Sequence, residues 1–435
     1  MPLSDPLEIV PLSQPPAATV QVPGSKSITN RALLLAALAS RHHSCNLRNV
    51  LQSEDTDIMT SCLRSLGFQI RASGEQVTVN LCCSGDCGVI PAKVADLFVA
   101  NSGTTMRFLT AFVSLGSGRY RLDGVARMRK RPIGDLLQAL RQLGVRAFSE
   151  NNDGFPPVVV EASGLDGGTV QIRGDASSQF LSGLLMAAPL ARGDVTIEVD
   201  GPLVSEPYVG MTTAMMRRFG AVIEETSGRR FFVPGGQTYQ ARDYVIEPDA
   251  SAASYFFAAV AITGGRVTVA DLGRESLQGD IRFVDVLEQM GAMVTWGENC
   301  VTVQGGSIKG IDVDMNAISD TVMTLAAVAC FAQGPTTIRN VAHIRHKETD
   351  RLKALTTELQ RAGAGVEELP DGLVIRPAPL HGATIETYND HRIAMSLALL
   401  GLRVPGIRIS DPGCVAKTYP GYFTDLEKLR TSTGE

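Results

Sequence analysis

The chain has 435 residues, 44% hydrophobic and 20% charged, the balance of a globular protein large enough for more than one core. A net charge of −5 and a pI near 5.8 argue against a nucleic-acid binder, which carries a strong basic excess; any basic site must be local. No stretch approaches the roughly 18 uninterrupted apolar residues of a membrane span, and residues 1–16 lack a basic segment followed by an apolar core, so a cytoplasmic protein without a membrane partner is expected.

Thr19, Val20 and Val22 form an apolar strand pattern that Pro23 and Gly24 break, and the Ala/Leu run from Ala32 to Ala39 reads as a helix. The segment Ser25-Lys26-Ser27-Ile28-Thr29-Asn30-Arg31 therefore opens that helix. There the first backbone N–H groups lack intrahelical partners and the helix dipole favours an anion. Lys26 and Arg31 add two full charges, and Ser27, Asn30 and Arg31 share a face of the first turn. A nucleotide P-loop would need another glycine ahead of a directly joined Gly-Lys pair, and neither is present. A capped helix with its cations in solvent remains open for this stretch alone.

In order, the chain repeats a unit of roughly 70 to 75 residues six times. Each repeat has a first helix that opens on small polar residues: Ser27 to Ala39, Ser102 to Leu115, Ser177 to Ala191, Ala250 to Ile262, Ser319 to Ala332 and Asp390 to Leu402. A second, amphipathic helix ends at Gly67, Gly144, Gly220, Gly291 or Gly363 in the first five repeats, and Tyr422 to Leu429 lacks that glycine. Helix, glycine, strand is C-cap grammar, because glycine takes the left-handed conformation cheaply. Strand-like segments with β-branched alternation follow, among them Val77 to Leu81, Val158 to Glu161, Thr196 to Val199, Thr268 to Ala270 and Thr336 to Arg339. The expected fold is α/β, two similar domains of three repeats: 23–246, and 247–435 completed by 1–22 crossing over, with a hinge at the two crossings.

Polar residues concentrate at the first-helix starts. The second repeat reads Asn101-Ser102-Gly103-Thr104-Thr105-Met106-Arg107, followed by Arg127-Met128-Arg129-Lys130-Arg131-Pro132. Glycine and small hydroxyls permit close approach of a ligand to backbone. Crowded cations favour an anion-binding arginine, and Pro132 suits the first position of a helix. Ser177, Ser178 and Gln179 open the third repeat; the hydroxyls can donate to a sugar or phosphate or simply cap. In the second half Asp320 stands at a helix start, Lys347, Asp350 and Arg351 repeat the helical spacing of Ser27, with Glu348 three residues before Arg351, and Asn389-Asp390-His391-Arg392 and Lys417 follow. Cations thus come from both halves.

Eight cysteines are scattered along the chain, and reduced, buried thiols are expected. Cys82, Cys83 and Cys87 lack a fourth ligand at zinc spacing and a nearby histidine, so no metal is expected.

The stretches P-G-S-K-S-I-T-N-R, N-S-G-T-T-M-R, R-M-R-K-R-P-I-G, D-A-S-S-Q-F-L, G-D-I-R-F, K-E-T-D-R and Y-N-D-H-R-I-A-M closely resemble the 5-enolpyruvylshikimate-3-phosphate (EPSP) synthase family, in order and spacing over nearly the full length. The resemblance implies two domains of three βαβαββ units each. It implies transfer of the enolpyruvyl group of phosphoenolpyruvate to the 5-hydroxyl of shikimate 3-phosphate through a tetrahedral intermediate, with no cofactor, in a monomer. By motif matching, Lys26, Ser27, Arg31, Ser177, Ser178, Gln179, Ser205, Tyr208, Asp320 and Lys347 would hold shikimate 3-phosphate, with His343 where the family often has asparagine. Lys26, Asn101, Gly103, Arg131, Gln179, Arg351, Arg392 and Lys417 would face phosphoenolpyruvate, whose site the inhibitor glyphosate occupies in that family. Asp320 resembles the base at the hydroxyl, and Glu348 and Lys26 resemble the groups that exchange the methylene proton. Asp320 is expected ionised beside cations, whereas Glu348 would need burial to hold a proton. Phe108 stands where many members have proline. The rivals are the sister enzyme acting on UDP-N-acetylglucosamine, which normally carries a reactive cysteine that the Arg127 to Arg131 run lacks, and a non-catalytic anion-binding homologue.

Overall fold

In the computed structural model, which describes residues 3–40, 43–80 and 88–431, the chain forms two compact units. One is Gly24–Ile246; the other joins Met1–Pro23 to Glu247–Glu435. No helix among the described residues is long and apolar enough to cross a membrane. The cysteine cluster 82, 83 and 87 lies outside the described residues. Cys45, Cys62, Cys330 and Cys414 are buried and free, and Cys300 is half-buried and free.

The repeat is visible in the strand pairing. In Gly24–Ile246, strand Val94–Phe98 runs parallel to Ser117–Asp123, which pairs antiparallel with Val158–Ser163, itself antiparallel to Arg146–Ser149. The third repeat builds the same pattern from Gly168–Arg173, Val195–Asp200, Arg230–Val233 and Glu224–Thr226. In the first repeat the opening strand comes from the far end of this unit: Tyr244–Val245 runs parallel to Cys45–Arg48.

The other unit takes strands from the chain's start. Ala17–Val20 runs parallel to Arg266–Ala270, and Leu7–Glu8 pairs antiparallel with Arg408–Ile409. Among the described residues the sixth sheet therefore has three strands, with Thr384–Ile385 on the other side of Arg408–Ile409, where the other five have four. The sixth repeat departs from βαβαββ because its second helix, Tyr422–Thr431, is followed by no strand among the described residues.

The first helices are buried nearly all round. In Lys26–Ala39 every residue from Ile28 onward is buried, and in Ala250–Thr263 every residue from Ala250 to Ile262 is. Such helices are wrapped by protein on every side, so only their ends can offer polar groups to a ligand. The polar openings act as caps: Ser102 accepts from Thr105 N, Ser177 from Gln179 N, Asp249 from Ala252 N and Asp390 from Arg392 N. The second helices end as their glycines dictate, with φ of 97° at Gly67, 81° at Gly144, 87° at Gly220, 113° at Gly291 and 100° at Gly363. In that region a side chain would clash with the backbone.

Two local expectations are corrected. Pro132 is not the first helical residue, because the helix is Gly134–Gln142 with Ile133 at its cap. Lys347 and Glu348 are not in the helix with Arg351, which begins at Arg351 behind the capping carboxylate of Asp350. The spacing of K-E-T-D-R imitates one helical face, but Asp350 as N-cap competes with the preceding backbone and stops the helix there.

Candidate active site

In Gly24–Ile246, Lys26 is the first residue of its helix, Lys26–Ala39. Its ammonium stands 3.7 Å from the carboxylate of Asp55, which is buried in the first turn of Glu54–Ser65. Asp55 is absent from the sequence-based site. Its signal was the capping box formed by Ser53 and Thr56, which fixes that helix start beside Lys26.

Arg31 is 1% exposed. Its Nε donates to Thr212 Oγ1 at 2.7 Å, Nη1 to the Ser27 carbonyl at 2.9 Å, and Nη2 to Ser182 Oγ at 3.3 Å and the Tyr208 carbonyl at 3.1 Å. All these acceptors are neutral, and burial pulls the guanidinium's pKa down to about 10. Ser178 is buried, Ser177 is half-buried as the cap, and Ser205 sits at φ 52° and accepts from Tyr208 N.

The second helix start is arranged around Gly103. A methyl group there would meet Arg131 Nη2 at 2.3 Å and Arg107 Nη1 at 2.8 Å. Arg131 is buried, and its Nη1 donates to the Asn101 carbonyl at 3.1 Å. Arg107 donates to Gln179 Oε1 at 2.7 Å, and Gln179 Nε2 donates to Thr104 Oγ1 at 3.1 Å. Gln179 therefore ties Gly103–Phe112 to Ser178–Ala187. The basic run 127–131 divides by environment: Arg129 is exposed and paired with Asp123 at 2.6 Å, whereas Arg131 is folded inward.

In the other unit the charges form one continuous cluster. Asp320, in the 3-10 turn Asn316–Thr321, receives Arg392 Nη2 at 2.8 Å and Arg351 Nη1 at 3.4 Å, with Lys347 Nζ at 3.9 Å. Glu348 receives Arg351 Nη2 at 3.0 Å and Lys417 Nζ at 3.1 Å. Arg351 also makes a two-pronged pair with Asp390, Nε at 2.8 Å and Nη2 at 3.2 Å. Burial opposes the charge on Arg351, but Asp390, Glu348 and Asp320 outweigh it and hold the guanidinium well above its ordinary range. Arg392 Nη1 reaches the Tyr255 hydroxyl at 3.4 Å. His343 is buried; desolvation first and then the nearby Lys347 bring its pKa down to about 3, so the imidazole is neutral.

Asp320 is thus paired with Arg392, Arg351 and Lys347 together. Glu348 is buried and paired with both Arg351 and Lys417. Among the described residues no group of three or more His, Cys, Asp or Glu is placed to hold a metal ion.

Two sets of three similar α/β repeats with basic, anion-ready helix starts are the architecture of an enolpyruvyl transferase. An EPSP synthase from Acinetobacter baumannii superposes with a TM-score of 0.82 at 26% identity, covering 98% of each chain. The family profile of EPSP synthase (3-phosphoshikimate 1-carboxyvinyltransferase) matches residues 12–426. The 3-phosphoshikimate 1-carboxyvinyltransferase of Trichormus variabilis is 52% identical over 426 residues, 98% of this chain and 99% of that one. The protein of the same name from Shewanella oneidensis is 49% identical over 414 residues, 94% of this chain and 96% of the other. The chain belongs to the EPSP synthase family.

Proposed function

We propose that this protein transfers the enolpyruvyl group of phosphoenolpyruvate to the 5-hydroxyl of shikimate 3-phosphate and releases phosphate, the step that aromatic biosynthesis through shikimate requires. The observation that carries the reading is that one guanidinium, Arg351, bonds both Asp320 and Glu348. Addition and elimination at one carbon centre need two proton-transfer groups within a cationic site, and this pair supplies them.

In this reading Asp320 accepts the proton of the 5-hydroxyl as the oxygen attacks the central carbon of phosphoenolpyruvate. A proton reaches the methylene carbon from Glu348 or Lys26, giving the tetrahedral intermediate. Elimination then takes the other branch: the methyl group returns a proton to Glu348 or Lys26, phosphate leaves with the proton held by Asp320, and the double bond re-forms. Lys26, Ser27, Arg31, Ser177, Ser178, Gln179, Ser205, Tyr208, Asp320, Lys347 and His343 hold shikimate 3-phosphate; Lys26, Asn101, Gly103, Arg131, Gln179, Arg351, Arg392 and Lys417 hold phosphoenolpyruvate. The anionic substrate placed on Arg351 and Lys417 competes with Glu348 for them, so its carboxylate binds a proton more readily with substrate present. The local cations offset the mutual repulsion of two polyanions.

The same reading takes the protein as cytoplasmic and as a monomer, and sedimentation of the purified chain checks the second. The reaction is tested by phosphate release with both substrates, with each omitted in turn, and with a chelator added. Release that needs both substrates and survives the chelator supports it. Release with UDP-N-acetylglucosamine in place of shikimate 3-phosphate overturns the substrate, and silence with both overturns the catalytic reading.

A further inference from the structure

Asp390 joins the two arginines of the charged cluster: its carboxylate takes Arg351 Nε and Nη2 and also caps the helix that carries Arg392, accepting from Arg392 N at 2.9 Å. The backbone directly ahead of it is held in an unfavourable form. Tyr388 has φ 55° and Asn389 has φ 53°, two consecutive left-handed residues. Asparagine tolerates that region, but a bulky aromatic does not adopt it without compensation.

The compensation comes from Glu358, a fully buried carboxylate with no part in the chemistry above. It accepts the Tyr388 hydroxyl at 2.6 Å and the Glu386 backbone N–H at 3.0 Å, and is paired with Arg361 at 2.7 Å. Asp390 N closes the turn on the Thr387 carbonyl at 2.9 Å. A buried carboxylate is costly unless its oxygens are satisfied, and one of these three donors, the Tyr388 hydroxyl, is carried by a left-handed residue of the turn itself. Tyr388 is 43% exposed, so apolar burial does not account for its being held. Burial and then Glu358 push its hydroxyl pKa up to about 12, so it remains a donor at any ordinary assay pH. Glu358 is seven residues from Arg351 in Arg351–Arg361, two turns along the same face.

We propose that Glu358 is a positioning residue that clamps the strained turn 386–389 through Tyr388, so that Asp390 holds Arg351 and Arg392 in register for phosphoenolpyruvate. This rests on the assignment of those two arginines to phosphoenolpyruvate given above.

The test is steady-state phosphate release by Tyr388→Phe, Glu358→Gln and Arg392→Lys, varying each substrate, with thermal melting in parallel. Tyr388→Phe and Glu358→Gln should each raise KM for phosphoenolpyruvate about three- to tenfold, the scale of a lost hydrogen bond. KM for shikimate 3-phosphate should stay within about twofold, and the double variant should fall short of the product of the two. A lowered melting temperature with an unchanged phosphoenolpyruvate KM would mean the clamp serves stability alone and overturns the proposal. If Arg392→Lys raises that KM while Tyr388→Phe does not, only the positioning role fails. If Arg392→Lys also leaves it unchanged, the arginine assignment fails and takes this inference with it. Should Glu358→Gln not fold, Tyr388→Phe decides, since it changes only a hydroxyl on a partly exposed ring.

Discussion

The guanidinium of Arg31 lies 5.0 Å above the ring of Phe108, joining the helix that begins at Lys26 to the one that begins at Gly103. Arg31 makes no ion pair among the described residues; its partners are hydroxyls and carbonyls. The electron-rich ring face is the compensating group nearest to a negative charge, and such contacts gain strength when desolvated.

Replacing Phe108 by leucine keeps an apolar side chain but removes that face. Shikimate 3-phosphate binding by calorimetry should weaken by about 0.5 to 2 kcal/mol, the range of a buried cation–π contact. Phosphoenolpyruvate kinetics should change less. Unaltered affinity for shikimate 3-phosphate would show that Arg31 is held by its hydrogen bonds alone.

Gly103→Ala should act on phosphoenolpyruvate. The added methyl would be 2.3 Å from Arg131 Nη2, too close to coexist, so the guanidinium must move from its place beside the Asn101 carbonyl. Loss of a charged contact costs about 1.5 to 3 kcal/mol, so the phosphoenolpyruvate KM should rise by roughly one to two decades, and Arg131→Ala should produce the same rise. If Gly103→Ala leaves that KM unchanged, Arg131 does not touch the substrate.

Asp320→Ala removes the proposed base but also a negative charge from among Arg392, Arg351 and Lys347. Turnover should drop by about two to four decades, the range for a positioned acid or base. Phosphoenolpyruvate should bind as well as before or more tightly, because the released cations face it unopposed. Near-normal turnover in rapid-quench assays would take Asp320 out of the mechanism.

Much of this arrangement was readable beforehand, and the limit has a physical cause. Gly67 and Gly291 mark helix ends because a left-handed cap is a local requirement, satisfied or not by one residue. Ser102 and Asp390 mark helix starts for the same reason. Asp55, Arg107 and Glu358 were missed because what defines them is a partner far away in sequence: Lys26, Gln179 and Tyr388. Lys347 and Glu348 misled in the opposite way, since their helical spacing to Arg351 is real while the helix is not. The division of 127–131 into exposed Arg129 and buried Arg131 depends on Asp123 in a neighbouring strand, which no count of charges reveals.

His343 makes a pH prediction. Its folded pKa is about 3 against about 6.5 unfolded, so between those values the unfolded chain binds a proton that the folded chain refuses. Stability is therefore lost as pH falls from 6.5 towards 3. From pH 7 to pH 5 the loss from this group should approach about 2 kcal/mol, and His343→Asn should remove it. Denaturant melts of both proteins at the two pH values check this; parallel losses would mean that His343 is protonated in the folded protein.

The strands at residues 7–8 and 17–20 belong to sheets whose other members come far later in the chain, with Ala17–Val20 beside Arg266–Ala270 and Leu7–Glu8 beside Arg408–Ile409. During synthesis at about 5 to 20 residues per second, Ala17–Val20 waits on the order of tens of seconds for its partner strand Arg266–Ala270 to leave the ribosome. The contiguous unit Gly24–Ile246 is complete before Arg266–Ala270 is made, although its own strand Cys45–Arg48 also waits for the late-made Tyr244–Val245. A nascent chain thus carries Ala17–Val20 without its sheet for much of the time it is being made, so that sheet cannot form until the other unit's sequence is already complete.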